Sequence, residues 1–349
     1  MTHPDWPPRE NVDLTERTTL GLPARAEWFV RVSHREALIR ALEWAAQHDL
    51  ETLVLGGGSN VVLDTFQPGL VIEMAIMGRR WSDVSEDRAV LELGAGENWH
   101  ASVLYSVSAG YRGLENLALI PGTVGAAPIQ NIGAYGVELS DVLVSVSVLD
   151  RHSGQVRVLG PDECAFAYRD SVFKREPGRY VVLDVRLALS RSRPVNLSYR
   201  ELADWLDGRQ PETLRAADVA EAVSQIRRRK LPDPALLPNA GSFFKNPVIS
   251  RDTFERLSAE HPDMPAHEVE DGIKVAAGWL IDQSGWKGHR EAHVGVHSRQ
   301  ALVLVHHGQG NARELLDLAA RIRDDVFSRY GIELEIEPRI YPMALRDGW

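Results

Sequence analysis

The 349-residue sequence predicts an α+β fold, and three observations lead to that class. Helical and strand-like hydrophobic patterns are mixed along the chain without regular alternation. Val142–Val148 alternates as a half-buried strand, and Ser153-Gly154 turns the chain back into Val156–Leu159, which predicts a hairpin. The sequence contains no internal repeat. Mixed elements joined by a hairpin favour α+β over a regular βαβ winding.

The remaining elements of the first half follow from local patterns. A helix is predicted at Ser33–His48, where Ser33 and Glu36 have capping-box spacing, and another at Asn98–Ala109. Short apolar runs predict strands at Thr52–Leu55, Val61–Leu63, Leu70–Met74 and Ala89–Leu93. Leu117–Gly136 is rich in Gly, Ala and Pro and has no clean period, so it predicts irregular backbone.

In the second half, strands are predicted at Tyr180–Leu189, Ala301–Val305 and Ile332–Glu337. At Pro338 the last of these should end or lie at a sheet edge, since proline has no N–H for a sheet ladder. Helices are predicted at Ala217–Arg227, Lys274–Gln283 and Asn311–Tyr330. The weakest points for a domain boundary are Arg191–Pro194 and the proline-rich run Leu231–Pro238.

Composition excludes several functional classes. The 39 Lys and Arg against 49 Asp and Glu give a net charge of −10, which argues against nucleic acid or an anionic membrane as main partner. Cys164 is the single cysteine, which excludes an intramolecular disulfide and a Cys-rich zinc site. No signal-peptide core and no run of ~20 apolar residues is present, so we expect a cytoplasmic protein.

Three histidines raise the question of a metal. His289, His293 and His297 are spaced by four, but residues four apart along a strand lie ~13 Å from each other. No His-Glu-x-x-His motif is present either. We therefore expect no metal site.

A glycine-rich loop follows the predicted strand Thr52–Leu55. Gly56, Gly57 and Gly58 leave backbone N–H groups unshielded by any Cβ, and Ser59 and Asn60 add side-chain donors. Such a loop can bind a pyrophosphate, although a tight turn without a ligand is an equal alternative. It is not a dinucleotide fingerprint, because a strand and not a helix follows it.

A second segment is apolar but interrupted by glycine and proline. Ile120–Pro128 and Gln130–Gly136 are too broken for a long helix or strand. Their backbone amides can lie against a flat heteroaromatic ring with several polar edges, and a flavin fits that description. A packed core segment is the alternative.

Three residues have the side chains for chemistry. Arg169 can hold a carboxylate in a bidentate fashion, or it can form a surface ion pair with Asp170. Ser242 precedes two aromatics and can transfer a proton in a closed apolar site, or it can serve as a turn or cap serine. Glu337 shares one face of the last predicted strand with Glu333 and Glu335. Exposure of that face to solvent is enough to explain the three glutamates.

In their order along the chain, these segments resemble the UDP-N-acetylenolpyruvoylglucosamine reductase family. The matching stretches extend over nearly the whole chain: Gly56–Asn60, Ile120–Gly122, Gln130–Gly136, Tyr168–Ser171, Gly241–Pro247 and Glu335–Arg339. Each stretch alone is moderately specific for the family, and the whole set in this order is highly specific for it. The segment Leu197-Ser198-Tyr199 resembles the tyrosine-containing segment of the longer form of the family.

The resemblance implies the architecture. It implies a two-part FAD-binding domain of the vanillyl-alcohol-oxidase (PCMH) type and a C-terminal α+β substrate-binding domain. The expected ranges are 1–70 for the first FAD-binding part, completed by 332–349, then 71–215 for the second and 216–331 for the substrate domain. The FAD-binding region as a whole is expected at about 23–190. A monomer is expected.

The resemblance also implies the reaction. NADPH reduces a non-covalently bound FAD, flavin N5 gives hydride to the enolpyruvyl methylene carbon, and Ser242 protonates the adjacent carbon. Arg169 and Glu337 hold the substrate carboxylate and stabilise the enol-like intermediate. The product is UDP-N-acetylmuramate, for peptidoglycan synthesis.

The resemblance further implies the binding residues. Tyr199, Lys230, Asn246 and Gln300 match substrate-diphosphate positions. The expected FAD contacts are Gly56, Gly57, Gly58, Ser59, Asn60, Ile120, Pro121, Gly122, Ile129, Gly133, Val182 and Arg227. Two alternative functions stay open. One is another FAD enzyme of the same fold, such as a sugar or alcohol oxidase. The other is a non-catalytic binder of flavin or nucleotide sugar.

Overall fold

The computed structural model describes residues 6–342 of the chain. Its α-helices are, in chain order, α1 (Arg35–Gln47), α2 (Trp99–Ser108), α3 (Pro161–Cys164), α4 (Val172–Arg175), α5 (Arg200–Trp205), α6 (Ala216–Lys230), α7 (Arg251–Glu260), α8 (Ala277–Gln283) and α9 (Ala312–Tyr330). The described residues also form five short 3-10 helices, at Thr15–Arg17, Glu115–Leu117, Val124–Gln130, Leu139–Asp141 and Pro211–Thr213.

The strands of the same residues are short, and many are joined by hairpins. They are β1 (Arg9–Asp13), β2 (Arg25–Val32), β3 (Thr52–Leu55), β4 (Val61–Leu63), β5 (Phe66–Met74), β6 (Arg79–Ser82), β7 (Arg88–Gly94), β8 (Gly133–Ala134), β9 (Val137–Glu138), β10 (Leu143–Asp150), β11 (Gln155–Leu159), β12 (Tyr180–Ser190), β13 (Asn239–Ser242), β14 (Val248–Ile249), β15 (Ala266–Val269), β16 (Gly272–Val275), β17 (Val294–Val296), β18 (Val303–His306) and β19 (Arg339–Tyr341).

The chain divides into two compact units. Among the described residues, the first unit contains 6–12, Glu27–Gly57 and Pro68–Arg229. Its larger sheet has the antiparallel order β11-β10-β12-β7-β6, and a four-stranded sheet has the order β1-β2-β5-β3 with β3 and β5 parallel. Buried Val, Leu and Ile side chains of these strands pack with α1, α2 and α6 into one core, as the alternation of apolar residues along the strands requires.

The second unit contains Asp13–Ala26, Gly58–Gln67 and the described residues 230–342. Two three-stranded sheets have the orders β13-β18-β17 and β14-β16-β15, and β19 pairs in parallel with β4. The core-facing side of α9 is buried at Leu315, Leu318, Ile322 and Val326, spaced by three and four residues as a helix requires. These residues belong to a core separate from that of the first unit.

Most predicted elements are confirmed within one to three residues. The hairpin is β10 and β11, and Asn311 caps α9 by accepting the N–H of Glu314 at 3.1 Å. The irregular segment 117–136 contains the 3-10 helix Val124–Gln130 and the two-residue strand β8, and the rest of its backbone after Leu117 belongs to no helix or strand. The predicted α+β class is confirmed, since hairpins and mixed helices replace any regular βαβ winding.

Three local predictions are wrong. The Ser33–Glu36 capping box does not form, because His34 is the N-cap and makes no side-chain cap hydrogen bond. Gly272–Val275 is a strand, so the helix expected from Lys274 begins only at Ala277; burial alternates along the strand, which pairs with two neighbours.

The third error concerns Ile332–Glu337. Burial alternates from Ile332 to Glu335, but Ile336 and Glu337 are both half-buried. A single bridge, Ile336 to Phe244, is the only sheet pairing of this stretch in the described structure. The chain bends at Pro338, and the named strand is β19, which begins at Arg339. Proline ends the pairing because it has no N–H to donate.

No helix within residues 6–342 combines the length and apolar character needed to cross a membrane. The predicted domain boundaries stay a prediction, and parts of two predicted ranges, 1–5 and 343–349, lie outside the described residues.

Candidate active site

The glycine loop after β3 lies directly against a second loop of the first unit. A Cβ on Gly57 would lie 2.9 Å from the Cα of Gly122, and one on Gly56 would lie 2.5 Å from Thr123 Oγ1. Real Cβ contacts at these distances essentially do not occur. Glycine at 57 therefore lets the two backbones approach so closely, and a side chain at 56 would displace the Thr123 hydroxyl. The loop is therefore more than a generic turn, since its composition is fixed by this close approach.

The hydroxyl of Thr123 provides a test of whether this region fits FAD. Thr123 Oγ1 is buried and makes no hydrogen bond to the protein. A buried hydroxyl usually has a partner, so an unsatisfied one beside a glycine loop fits a ligand that supplies one. Backbone amides unshielded by Cβ atoms supply donors for phosphate at the same place. These residues therefore fit a flavin nucleotide.

The segment 120–136 is held from several sides. Val124 and Gly125 donate their N–H groups to the carbonyls of Glu97 and Ala95, both at 2.8 Å. Ser171, which is fully buried, donates its hydroxyl to the Ile129 carbonyl at 2.6 Å. An irregular backbone of this kind is ordered by such specific bonds because it lacks a repeating ladder.

Arg169 lies at the end of this network. Its φ is +53°, in the left-handed region that favours glycine, and its Nη2 donates to the Gly133 carbonyl at 2.9 Å. A strained backbone of this kind persists only where the surroundings hold it, and it is frequent at functional sites. The neighbouring Asp170 pairs with Arg175 at 2.9 Å, so its carboxylate has a cationic partner other than Arg169.

Arg227, on α6, brings a second guanidinium to the first unit's site. Its Nε donates to the Leu119 carbonyl at 3.2 Å. Burial lowers its pKa, Tyr135 acts in the opposite direction, and the positive charge of Arg169 lowers the pKa further. Two guanidinium groups near enough to influence each other attract an anion, which fits a phosphate or carboxylate ligand.

Tyr199 is exposed and immediately precedes α5. Its ring meets that of Tyr135 edge to face, with 5.1 Å between ring centres. Burial raises the pKa of Tyr135 to about 12, so that phenol stays protonated. Asn196 ties the segment to the 120–136 region by donating to the Gly136 carbonyl at 2.9 Å, while its Oδ1 accepts from Ser198 Oγ at 2.7 Å.

Ser242, in the second unit, is the last residue of β13 and is half-buried. Gly241 before it has φ +71°, and its N–H is accepted by the side chain of Asn239 at 2.9 Å. The two aromatics after it, Phe243 and Phe244, are fully buried and pack edge to face at 5.6 Å. Anchors on both sides therefore fix the backbone at Ser242.

Glu337 lies on the chain segment that pairs with Phe243–Lys245, the residues that directly follow β13. Its N–H donates to the Phe243 carbonyl at 2.9 Å, next to the bridge between Phe244 and Ile336. Ser242 and Glu337 are thus separated by one step along a short antiparallel pairing, although 95 residues separate them in the chain. Lys245 and Glu335 extend the pairing and form an ion pair with each other.

Three further predicted residues lie in the second unit. Asn246 Oδ1 accepts the Ala277 N–H at the start of α8 at 3.0 Å, so this side chain caps a helix. Gln300 Oε1 accepts from the Leu302 N–H at 3.4 Å, in the turn before β18. Lys230 is the last residue of α6.

Two comparisons with protein families match large parts of the chain. Residues 26–160 match the FAD binding domain, and residues 233–341 match the UDP-N-acetylenolpyruvoylglucosamine reductase, C-terminal domain. The UDP-N-acetylenolpyruvoylglucosamine reductase of Pseudomonas putida is 49% identical over 95% of this chain and 98% of its own. That of an Azoarcus species is 49% identical over 94% and 96%. This chain belongs to the UDP-N-acetylenolpyruvoylglucosamine reductase family.

A solved structure supports membership of the reductase family. The reductase from Thermus caldophilus is 29% identical, with a TM-score of 0.67 over 96% of this chain and 100% of its own. The expected FAD-binding domain followed by the family's C-terminal domain is confirmed. FAD is therefore the cofactor that its N-terminal part is built to bind.

Each unit contains part of the residue set expected for the reductase family. The first contains Gly56, Gly57, Ile120–Gly122, Ile129, Gly133, Arg169, Val182, Tyr199 and Arg227, and the second contains Gly58, Ser59, Asn60, Lys230, Ser242, Asn246, Gln300 and Glu337. The individual roles stay predictions. Among the described residues, His, Cys, Asp and Glu form no group of three or more that could hold a metal ion.

Sequence reasoning missed Thr123, Asn196 and His100. Thr123 lies inside Ile120–Pro128, which the sequence indicates as a segment for flavin binding. Its hydroxyl could have marked it as a ligand contact. The partners of Asn196 and His100 lie 60 and 19 residues away, at Gly136 and Leu119. No local pattern indicates such contacts, so only the folded structure reveals them.

Proposed function

We propose that this chain reduces UDP-N-acetylglucosamine enolpyruvate to UDP-N-acetylmuramate, with FAD as cofactor and NADPH as reductant. The main support is the pairing in which Glu337 donates to the Phe243 carbonyl. It sets the two residues proposed for proton transfer and charge stabilisation on adjacent segments. Similarity over nearly the full length to reductases of the family supports the same reaction.

FAD, when bound, supplies the hydride that NADPH provides. The chain's own residues supply the proton and the charges. In the proposal, Ser242 Oγ donates a proton to the carbon next to the substrate carboxylate. A serine hydroxyl is a weak acid, so a neighbouring cation such as Lys230 or a water must assist it.

Arg169 and Glu337 act on the substrate carboxylate in the proposal. Hydride addition to the methylene carbon builds negative charge on the adjoining carbon and carboxylate, and a guanidinium stabilises that charge. The bond to the Gly133 carbonyl at 2.9 Å orients Arg169 before substrate arrives. Preorganised charge of this kind costs no reorganisation during reaction.

Tyr199, Lys230, Asn246 and Gln300 are proposed to bind the substrate diphosphate. Their donors suit phosphate oxygens. A nucleotide sugar and NADPH as substrates fit a cytoplasmic step of peptidoglycan precursor synthesis. We also propose a monomer, and the net charge of −10 argues against nucleic acid as a partner.

Non-covalent FAD is the first expected result. Cys164 is buried and burial raises its pKa to about 12, which disfavours the thiolate needed to form a flavin bond. Purified protein should show flavin absorbance and release all of it on denaturation and filtration. Flavin that stays with the denatured chain would show a covalent link, and protein that never binds FAD would contradict the proposed function.

Turnover distinguishes this proposal from its two rivals. NADPH oxidation should depend on the UDP-sugar enolpyruvyl ether, and the product should be the saturated lactyl ether by mass spectrometry. An oxidase of the same fold would instead turn over an alcohol or sugar with oxygen. A non-catalytic binder would bind FAD or the nucleotide sugar without NADPH consumption.

Replacing Tyr199 by phenylalanine should weaken substrate binding more than it slows FAD reduction by NADPH. A phenol that binds a diphosphate contributes to ground and transition states alike, so its loss raises KM. Hydrogen bonds to charged groups contribute about 1.5–3 kcal/mol, which corresponds to a rise in KM of roughly 10- to 100-fold. Steady-state kinetics with the UDP-sugar and stopped-flow reduction by NADPH measure the two effects.

Tyr105→Phe is the matched control for Tyr199→Phe. Tyr105 lies on α2, where its ring stacks on Trp81 with 5.8 Å between ring centres. The substitution keeps that ring and removes a hydroxyl that the proposal does not use, so KM should stay unchanged. An unchanged KM in Tyr199→Phe would remove Tyr199 from the substrate site.

A further inference from the structure

The start of α2 holds the loop that leads into Ile120–Gly122. Trp99 donates its indole N–H to the Leu117 carbonyl and its backbone N–H to the Gly122 carbonyl, both at 3.0 Å. Between these two points, the Leu119 N–H donates to His100 Nδ1 at 2.9 Å. The loop is therefore bound at three positions by two consecutive residues of one helix.

Leu119 is the conformationally demanding residue of this loop. Its φ is +60°, a left-handed conformation that a leucine rarely adopts. His100 accepts its N–H, and Arg227 donates to its carbonyl at 3.2 Å. These two bonds flank the strained residue and hold it in place.

The bond fixes the protonation of His100. A backbone N–H can only donate, so Nδ1 must present its lone pair and the proton lies on Nε2. A protonated imidazole carries N–H on both nitrogens and cannot accept this bond. Among the three bonds from Trp99 and His100, this is the one with a titratable acceptor.

The surroundings of His100 favour the neutral ring. Burial lowers its pKa below the ordinary value, and the positive charges of Arg228 and Arg227 on α6 lower it further. The acid just before α2 and the acid in the 3-10 helix that packs against α2 have other partners: Glu97 pairs with Arg79 at 2.7 Å, and Glu115 accepts the Gly113 N–H at 2.6 Å.

We propose that His100 is a positioning residue for FAD: in its neutral form it holds the Leu119 backbone that leads into Ile120–Gly122, and its protonation weakens the binding of FAD. The inference rests on the proposed contact between FAD and Ile120–Gly122. In the proposal, His100 acts on FAD through its bond to the Leu119 N–H.

The sign of the pH effect follows from the lowered pKa. Below about pH 6.5 the unfolded chain binds a proton at His100 that the folded chain does not, so stability falls as pH falls. The stability that neutral His100 contributes is fully present above about pH 6.5. It is lost as pH falls, and the loss levels off below the pKa of the folded state. FAD affinity should fall about tenfold over the acid part of this range, as expected for one lost hydrogen bond.

The experiment dilutes the holoprotein at a series of values between about pH 5 and pH 8 and measures released FAD by its fluorescence. His100→Asn offers an acceptor oxygen near the position of Nδ1 and does not titrate, so FAD retention should lose this pH dependence. His100→Phe offers no acceptor and should release FAD about tenfold more readily even at the alkaline end. Thermal unfolding of the apoprotein over the same range is the second measurement.

His307→Asn is the control, because burial also lowers the pKa of His307, which lies in the other unit. It should keep the wild-type pH dependence. The proposal is overturned if His100→Asn keeps that dependence, if His100→Phe retains FAD as the wild type does, or if only apoprotein stability responds. Wild-type protein that binds no FAD at the alkaline end would instead contradict the proposed function itself.

Discussion

Replacing Ser242 by alanine should slow reduction of the enolpyruvyl substrate by about 10²–10⁴-fold, the usual contribution of a general acid. Reduction of the bound FAD by NADPH needs no proton from Ser242, so that step should stay near the wild-type rate. Ser242 lies on a backbone fixed by the buried Phe243 and Phe244, so removal of one hydroxyl should leave the fold intact.

Stopped-flow absorbance of the FAD, measured separately with NADPH and with the UDP-sugar, tests this separation. Ser258→Ala is the matched control: Ser258 lies on α7 of the same unit, and its hydroxyl donates to the Glu255 carbonyl at 3.1 Å. Both steps should be normal in the control. Equal slowing of both steps in Ser242→Ala would make Ser242 structural, and no slowing of either would remove it from the reaction.

Local patterns predicted most of the fold, because helix caps and apolar periodicity act over a few residues. Asn311 at the start of α9 and the turn at Ser153-Gly154 are examples. One of the three errors lies where tertiary pairing overrides the local pattern. Gly272–Val275 is a strand because two neighbouring strands pair with it. Nothing in the sequence of that stretch indicates this pairing.

The candidate site was predictable where a motif is continuous in sequence. The loop at Gly56–Gly58 and the Ser242 turn are of this kind. The pairing that brings Glu337 beside Phe243 was not predictable from spacing, because strands distant in sequence choose partners through the whole fold. The contact of His100 with Leu119 was not predictable for the same reason. It joins a helix to a loop that follows no periodic pattern.

Gly58 should tolerate no side chain. Its φ is +59°, and a Cβ would lie 2.0 Å from the Arg17 carbonyl oxygen and 2.7 Å from the Thr18 Cα. Both atoms are backbone, and the Gly58 carbonyl also accepts the Thr19 N–H at 3.1 Å, so neither side of the contact can yield easily. The left-handed conformation alone costs an alanine about 1–2 kcal/mol, and overpacking adds about 1–3 kcal/mol.

Gly58→Ala should therefore lower the free energy of unfolding by about 2–5 kcal/mol, the sum of those two costs. Because Gly58 belongs to the loop proposed to bind FAD, retention of FAD should fall by roughly 100-fold, as a displacement worth about 3 kcal/mol requires. Gly154→Ala is the control, since Gly154 has φ +71° but no atom within 4 Å of its Cβ position. The control should show only the conformational cost and keep its FAD. Urea unfolding and FAD fluorescence after dilution measure both variants, and equal effects in the two would mean that the contact with Arg17 and Thr18 does not constrain the loop.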